Sequence, residues 1–280
     1  MAVSAADVKA LRDKTGAGML DCKKALEKAD GDFEAAERIL KEMGLAAVAK
    51  RASRIAEEGR VFTNVADGRA GIMEISCETD FVARNAEFAS TGTAILAEAV
   101  ADNKKADDDG ILAKVNDLAT TIKENLQIRR LEILSAGSDE VIIDYVHGEE
   151  GRVGVLVKLA TSAGLASNQK VRDFGKDLAL HAAAFNPPYL NESSVPKAYI
   201  TEQEAIFAAQ AEGMDKPAQV IQGIIKGKLS KHLKEICFAD QPFVKDEKRS
   251  VSKVAEDLGK ELGGKVELVD YRVYRAGEEL

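Results

Sequence analysis

The run Glu78-Thr79-Asp80-Phe81-Val82-Ala83-Arg84-Asn85 sets a carboxylate and a phenyl ring side by side, between a stretch of strand character and a stretch of helical character. An aromatic beside a charge at a loop tip suits recognition of a partner, where a ring seated in a pocket is worth ~2 kcal/mol or more. Covalent chemistry has no comparable foothold. The histidines (His147, His181, His232) and cysteines (Cys22, Cys77, Cys237) are scattered, and none of their spacings fits zinc. No paired carboxylates with a pocket signature, no Cys–His arrangement and no Ser–His–Asp order stand out. Thr15-Gly16-Ala17-Gly18 is too short for a phosphate loop and lacks the Gly-Lys-Ser/Thr ending. The expectation is a protein that is not an enzyme, needs no cofactor or metal, and works by contact. Two readings of Asp80-Phe81 stand at this point: a helix cap and a core ring, or a pair of partner contacts.

The elements that must position this run follow from periodicity. The first 44 residues read as three short helices. Ser4 and Asp7 form a capping box, Thr15–Gly18 and Asp30-Gly31 break the chain, Asp32 caps the third helix, and Gly44 ends it. Leu11, Leu20 and Leu26 are expected in its core. A linker helix spans Leu45 to Glu58. Val61–Val65 and Gly71–Ile75 read as strands joined by Asp67-Gly68, a strong hairpin signal. Helices are expected at 85–100, 111–122, 168–184 and 252–262, and strands at 128–134, 141–146, 153–159 and 266–274. All prolines fall between Pro187 and Pro242. Within that region, 197–211 and 217–236 form an antiparallel helical hairpin, turned at Glu212-Gly213-Met214-Asp215, with few apolar positions and hence a protruding habit. The fold class is α+β.

The chain also matches itself at a constant offset of 83, with Gly68-Arg69-Ala70-Gly71-Ile72-Met73 over Gly151-Arg152-Val153-Gly154-Val155-Leu156 and Asn85 over Asn168. This implies a duplicated strand–strand–helix unit. The second copy carries Ala163-Gly164 where the first has Asp80-Phe81. A connection of this kind can therefore be built without either group, which favours the partner reading. The domain expectation is a three-helix N-terminal domain with linker helix over 1–54, a core subdomain over 55–140, and a second over 141–280 with the helical hairpin inserted at about 190–236.

Composition excludes several classes. With 45% apolar and 31% charged residues the 280-residue chain is globular rather than disordered. A net charge of −8 and only 5% aromatic residues with no tryptophan argue against direct nucleic-acid binding and against membrane surfaces. No apolar run reaches the roughly 18–20 residues a bilayer span needs. The absence of a secretory pattern at the start and the odd cysteine count give a cytoplasmic expectation. Residues 1–54 carry a net +2 against −10 for the remainder, consistent with a separate first module.

Two stretches carry a family resemblance. Leu11-Arg12-Asp13-Lys14-Thr15-Gly16-Ala17-Gly18-Met19 with Asp21-Cys22-Lys23-Lys24-Ala25-Leu26 is one. Glu74-Ile75-Ser76-Cys77-Glu78-Thr79-Asp80-Phe81-Val82-Ala83-Arg84 is the other, with Ser76 where the family more often has Asn or Val. Ile128-Arg129-Arg130, His147-Gly148, Gly154–Val157 and Gln241–Val244 follow in the right order. The sequence resembles the elongation factor Ts family, exchange factors for the translational GTPase elongation factor Tu. The resemblance implies a ubiquitin-associated-like triple helix followed by two core subdomains, and binding to elongation factor Tu in its GDP-bound and nucleotide-free forms. It implies that Thr79, Asp80, Phe81 and Val82 dislodge the partner's Mg²⁺, with Phe81 as wedge and Asp80 beside the magnesium site. Lys23, Arg12, Ile122 and His147 match partner-contact positions; the first two read equally as solvated helix charges, and His147 equally as a structural residue. The hairpin resembles an element used for homodimerisation or for touching the partner, and both remain open. Some members add a C-terminal helical module; the sequence here closes at Gly277-Glu278-Glu279-Leu280, so that contact is not expected.

Overall fold

Local signals set the first three helices. Helix α1 (Ala5–Thr15) starts at Ser4, whose hydroxyl accepts from the Asp7 amide while the Asp7 carboxylate accepts from the Ser4 amide. Helix α2 (Met19–Lys28) follows, and Asp32 caps α3 (Phe33–Arg51) by accepting from the Ala35 amide. In this computed structural model, which describes residues 3–212, 214 and 217–280, the three pack around Val8, Leu11, Cys22, Ala25, Leu26, Ala36 and Leu40. Leu20 departs from expectation and is 63% exposed. The inward stripe of α2 runs through Cys22, Ala25 and Leu26, and Leu20 lies off it. Gly44 also departs: α3 continues through it to Arg51 as one helix. Its role is close approach, because a Cβ there would lie 2.6 Å from the Thr120 side chain on a neighbouring helix.

Beyond α3 the period changes. Strands β1 (Glu58–Ala66) and β2 (Arg69–Cys77) pair antiparallel across Asp67-Gly68, both with positive φ (49° and 74°), the geometry of a tight hairpin turn. A short helix α4 (Asp80–Ala83), then α5 (Ala86–Asp102) and α6 (Asp109–Ile122), lead to β3 (Gln127–Ser135), which closes a sheet in the order β1-β2-β3. Strands β4 (Glu140–His147) and β5 (Val153–Thr161), helix α7 (Gln169–Phe185), the pair α8 (Lys197–Ala211) and α9 (Ala218–Ile236), the small ribbon β6 (Pro242–Phe243) and β7 (Asp246–Ser250), helix α10 (Val251–Glu261) and strand β8 (Val266–Arg275) complete the chain. The second sheet runs β4-β5-β8, all antiparallel. The ribbon and α4 had no sequence signal. Of the expected hairpin turn, Gly213 and Asp215 lie outside the described residues. The buried side chains at the base of α8–α9 are Val195, Leu229, Leu233 and Cys237.

The two sheets stack face to face through Val61, Ala70, Ile72, Ile142, Leu156 and Tyr274. Their outer faces are covered by helices: Phe62, Met73 and Ile75 lie with Phe88, Ile95, Leu96 and Ile111 from α5 and α6, and Val155, Val157 and Leu159 with Phe174, Leu178 and Val251 from α7 and α10. The result is a mixed helix and antiparallel-sheet, α+β, architecture. The offset of 83 holds for the helices, where Asn85 and Asn168 cap the starts and Asn103 and Asn186, both left-handed, cap the ends. It fails in the strands. A Cβ on Gly71 would meet Leu96 and Val100 of α5, whereas one on Gly154 would meet Val61 of the other sheet. A shift of one residue flips a strand's faces, so the sequence match aligns residues that point in opposite directions.

Helix α6 ends at Lys123, whose φ of 68° puts a side-chain-bearing residue in the left-handed region. That conformation costs an L-residue roughly 1–2 kcal/mol that glycine avoids. Lys123→Gly is therefore expected to raise the thermal midpoint by about 2–4 °C in calorimetry, about 1 kcal/mol net of glycine's unfolded-state entropy.

Candidate functional site

Strand β2 ends at Cys77, and the chain leaves the sheet through Glu78 into an extended Thr79 (φ −130°). The Thr79 hydroxyl caps α4, accepting from the Val82 amide at 3.4 Å. A four-residue helix does not hold itself together, and its base is gripped from outside. Glu124, two residues after α6, accepts from the Glu78 amide (2.9 Å), the Thr79 amide (3.1 Å) and the Thr79 hydroxyl (2.6 Å). The Glu78 carboxylate in turn accepts from the Asn125 amide (2.7 Å) and from the Arg54 guanidinium (3.2 Å). Buried Asn125 donates its side-chain amide to the carbonyls of Arg54 (2.7 Å) and Ala52 (3.4 Å), which fastens the segment after α3 to the same junction.

On the inner side of α4, Ala83 is buried and Val82 packs against the core under the first sheet. On the outer side Phe81 is 81% exposed, the largest exposure of any bulky apolar side chain among the described residues. Phe81 is thus not a core ring, and the cap is Thr79 rather than Asp80. Asp80 faces Arg84 at 3.5 Å, and Arg84 also reaches Glu150 at 2.8 Å. Ser76, at the position that departs from the family pattern, is buried and donates to the Gln127 carbonyl at 3.4 Å.

Glu150 belongs to the 148–152 connection between β4 and β5, which lies against the start of β1. The Val61 amide donates to the Gly151 carbonyl (2.8 Å), Arg60 to the Glu149 carbonyl (2.9 Å), and Arg152 pairs with Glu58 at 2.5 Å. His147, at the end of β4, is exposed with Nδ1 2.8 Å from the Tyr145 hydroxyl. The connection that follows it therefore meets the Phe81 turn through the Arg84–Glu150 pair. Ile122 ends α6 just before Glu124, but its side chain is half-buried in the cluster that holds Val82. Arg12 and Lys23 sit exposed on α1 and α2, Lys23 at 3.7 Å from Glu27. No hydrogen bond or ion pair among the described residues joins either of them to the turn.

A cleft of about 510 Å³ lies elsewhere, between α10 and the start of β8, and shares no residue with the turn. Among the described residues no group of three or more His, Cys, Asp or Glu is arranged to hold a metal ion. Sequence reasoning missed Glu124 and Asn125, because a Glu-Asn pair after a helix stop matches no motif. Burial, with Glu124 nearby, pushes the Cys77 thiol up to about 12, and burial raises Cys237 to about 11. A neutral, buried thiol is a poor nucleophile, so neither should alkylate in native protein at pH 8 on a timescale that labels both after denaturation; mass spectrometry of the labelled peptides checks this. The exposure of Phe81 carries a second expectation. Phe81→Ala should change unfolding free energy by less than about 0.5 kcal/mol in urea titrations, as for surface substitutions generally.

Comparison with known proteins supplies the family. The family described as Elongation factor TS matches residues 78–278. The elongation factor Ts of Borrelia hermsii is 43% identical over 278 residues, covering 99% of this chain and 100% of its own length. That of Treponema denticola is 44% identical over 277 residues, and that of Borreliella burgdorferi 44% over 276, each covering 99% of the relative. With a matched segment of this extent and identity running from end to end of its relatives, the chain belongs to the elongation factor Ts family.

Proposed function

We propose that this protein speeds GDP release from elongation factor Tu by pressing Phe81 into the GTPase and dislodging the Mg²⁺ that anchors the nucleotide. Family membership makes it a guanine-nucleotide exchange factor of protein biosynthesis, one that neither makes nor breaks a covalent bond. As a translation factor it acts, on this reading, in the cytoplasm; no helix among the described residues is long and apolar enough to cross a membrane. The observation that carries the magnesium reading is the Phe81 ring: exposed to 81% on a turn whose two sides are fixed by Glu124 and by buried Ala83.

Burial of the Phe81 ring can supply a large share of the energy that exchange requires. Exchange factor and nucleotide must weaken each other's hold on the GTPase by the same factor. Accelerating release ~1,000-fold needs about 4 kcal/mol off the barrier. Burying a phenyl ring that is exposed in the free protein returns roughly 1.5–3 kcal/mol. Mg²⁺ in general demands near-ideal octahedral oxygen coordination, so moving the GTPase elements that would carry its ligands by about 1 Å would be enough to weaken its hold. Asp80 brings a negative charge beside that site, while Thr79 and Val82 hold the turn's shape.

Around this centre, His147 and Ile122 flank the turn as further contacts, Ile122 through the part of its surface left open. Arg12 and Lys23 serve a second contact made by the N-terminal helices, which form a ubiquitin-associated-like module over 1–54. The remaining chain forms duplicated core subdomains over 55–140 and 141–280. The α8–α9 hairpin supplies either a homodimer contact or a further touch on elongation factor Tu, and no nucleic acid is engaged directly.

The test is release of fluorescently labelled GDP from elongation factor Tu with catalytic amounts of the protein. Phe81→Ala should lower the stimulated rate roughly 10–100-fold. Raising Mg²⁺ should blunt stimulation more in Phe81→Ala and Asp80→Ala than in the unaltered protein. Equal sensitivity across all three would defeat the magnesium reading, and no stimulation by any of them would defeat exchange itself.

A further inference from the structure

The geometry points to Glu124 as the positioning residue for exchange, an inference that rests on Phe81 being the wedge. Three donors converge on this one carboxylate: the amides of Glu78 and Thr79 at 2.9 and 3.1 Å on one oxygen, and the Thr79 hydroxyl at 2.6 Å on the other. All three belong to the two residues that lead from β2 into the turn carrying Phe81. Bonds to a carboxylate acceptor are the strong ones, and among the described residues no other side-chain acceptor reaches these amides.

Glu124 is itself fixed in space from both sides. Before it, Lys123 reverses the chain in the left-handed conformation at the end of α6. After it, the Asn125 amide donates to the Glu78 carboxylate at 2.7 Å. Glu78 and the Glu124-Asn125 pair therefore hold each other reciprocally, carboxylate to amide in both directions. Asn125 extends the clamp to the carbonyls of Ala52 and Arg54, and α6 packs on α3 through Gly44 against Thr120 and Arg51 on the Ala119 carbonyl at 3.0 Å. The wedge is thus referenced to α6 and, through it, to the N-terminal helices. Phe81, 81% exposed, has little packing of its own to fix its direction. A misplacement of about 1 Å at a reacting geometry can cost ~100-fold in rate, so a loosened base should disable the ring without touching it.

The experiment is a cycle of Glu124→Ala, Phe81→Ala and the double variant, read by labelled-GDP release at limiting and saturating elongation factor Tu. Glu124→Ala should cut the saturating rate about tenfold, with a smaller effect on half-saturation, and the double variant should be no slower than Phe81→Ala alone. Glu124→Gln should stay within about threefold of the unaltered protein, since its Oε1 still accepts from both amides and its Nε2 can donate to the Thr79 hydroxyl. Hydrogen exchange at the Glu78 and Thr79 amides should quicken at least about tenfold in Glu124→Ala. If Glu124→Ala proves unstable, Thr79→Val removes the hydroxyl arm together with the weaker α4 cap (3.4 Å) and should slow exchange by about threefold or more. Losses that multiply in the double variant, or unchanged exchange in Glu124→Ala or in Thr79→Val, would overturn the assignment. Full activity of Phe81→Ala would overturn the wedge reading instead, so the two failures are told apart.

Discussion

Strand β2 is buried along almost its whole length and on both faces, and this constraint organises the protein. Ile72 points into the space between the sheets, and Met73 and Ile75 point under α5 and α6. Between them sits Glu74, a fully buried carboxylate at the centre of the molecule. An ion in that position is destabilising unless its oxygens are matched by donors. Arg129 and Arg130 from β3 supply one bond each at 2.8 Å, and the Gly277 amide supplies another at 2.9 Å. The segment after β8 is therefore drawn back across the sheets, with Arg129 on the Glu278 carbonyl and Arg130 on the Arg275 carbonyl and the Glu278 carboxylate. Arg130 also lies over the Tyr274 ring, 3.8 Å from its centroid.

This arrangement explains how an exposed aromatic can be held steady. Strand β2 cannot shift without breaking the interface between the sheets and uncovering Glu74, so Cys77 is a fixed point. The turn begins there, and only one further anchor is needed to define its direction. The turn's own four-residue helix is too short to supply it, and the carboxylate at 124 fills the gap. Stiffness is inherited from the core, while the ring itself stays largely exposed.

Much of the fold was legible from local chemistry. The Ser4–Asp7 box, the Asp32 cap and the Asp67-Gly68 turn each depend on residues within three positions of one another, which is why the sequence displays them, and the helix starts near Asn85 and Asn168 show in the repeat. What it concealed depends on distant partners. Gly44 reads as a stop until Thr120 is placed against it. Leu20 reads as core until the true stripe of α2 is fixed by the other two helices. The repeat is visible as identities, but strand parity is not, and glycines at an offset of 83 face opposite ways. For the site, the exposed ring was legible because the second copy of the repeat lacks it. Its support was not, since Glu124 lies 45 positions from Thr79.

Arg84 stands between two acids, nearer to Glu150 (2.8 Å) than to Asp80 (3.5 Å). A cation approaching from another molecule can therefore take over Asp80 without stranding a guanidinium, because Glu150 keeps hold of it. Such a handover would exchange one intramolecular ion pair for one intermolecular pair and leave the Arg84–Glu150 pair in place, so the aspartate is a charge that can be lent out at little cost.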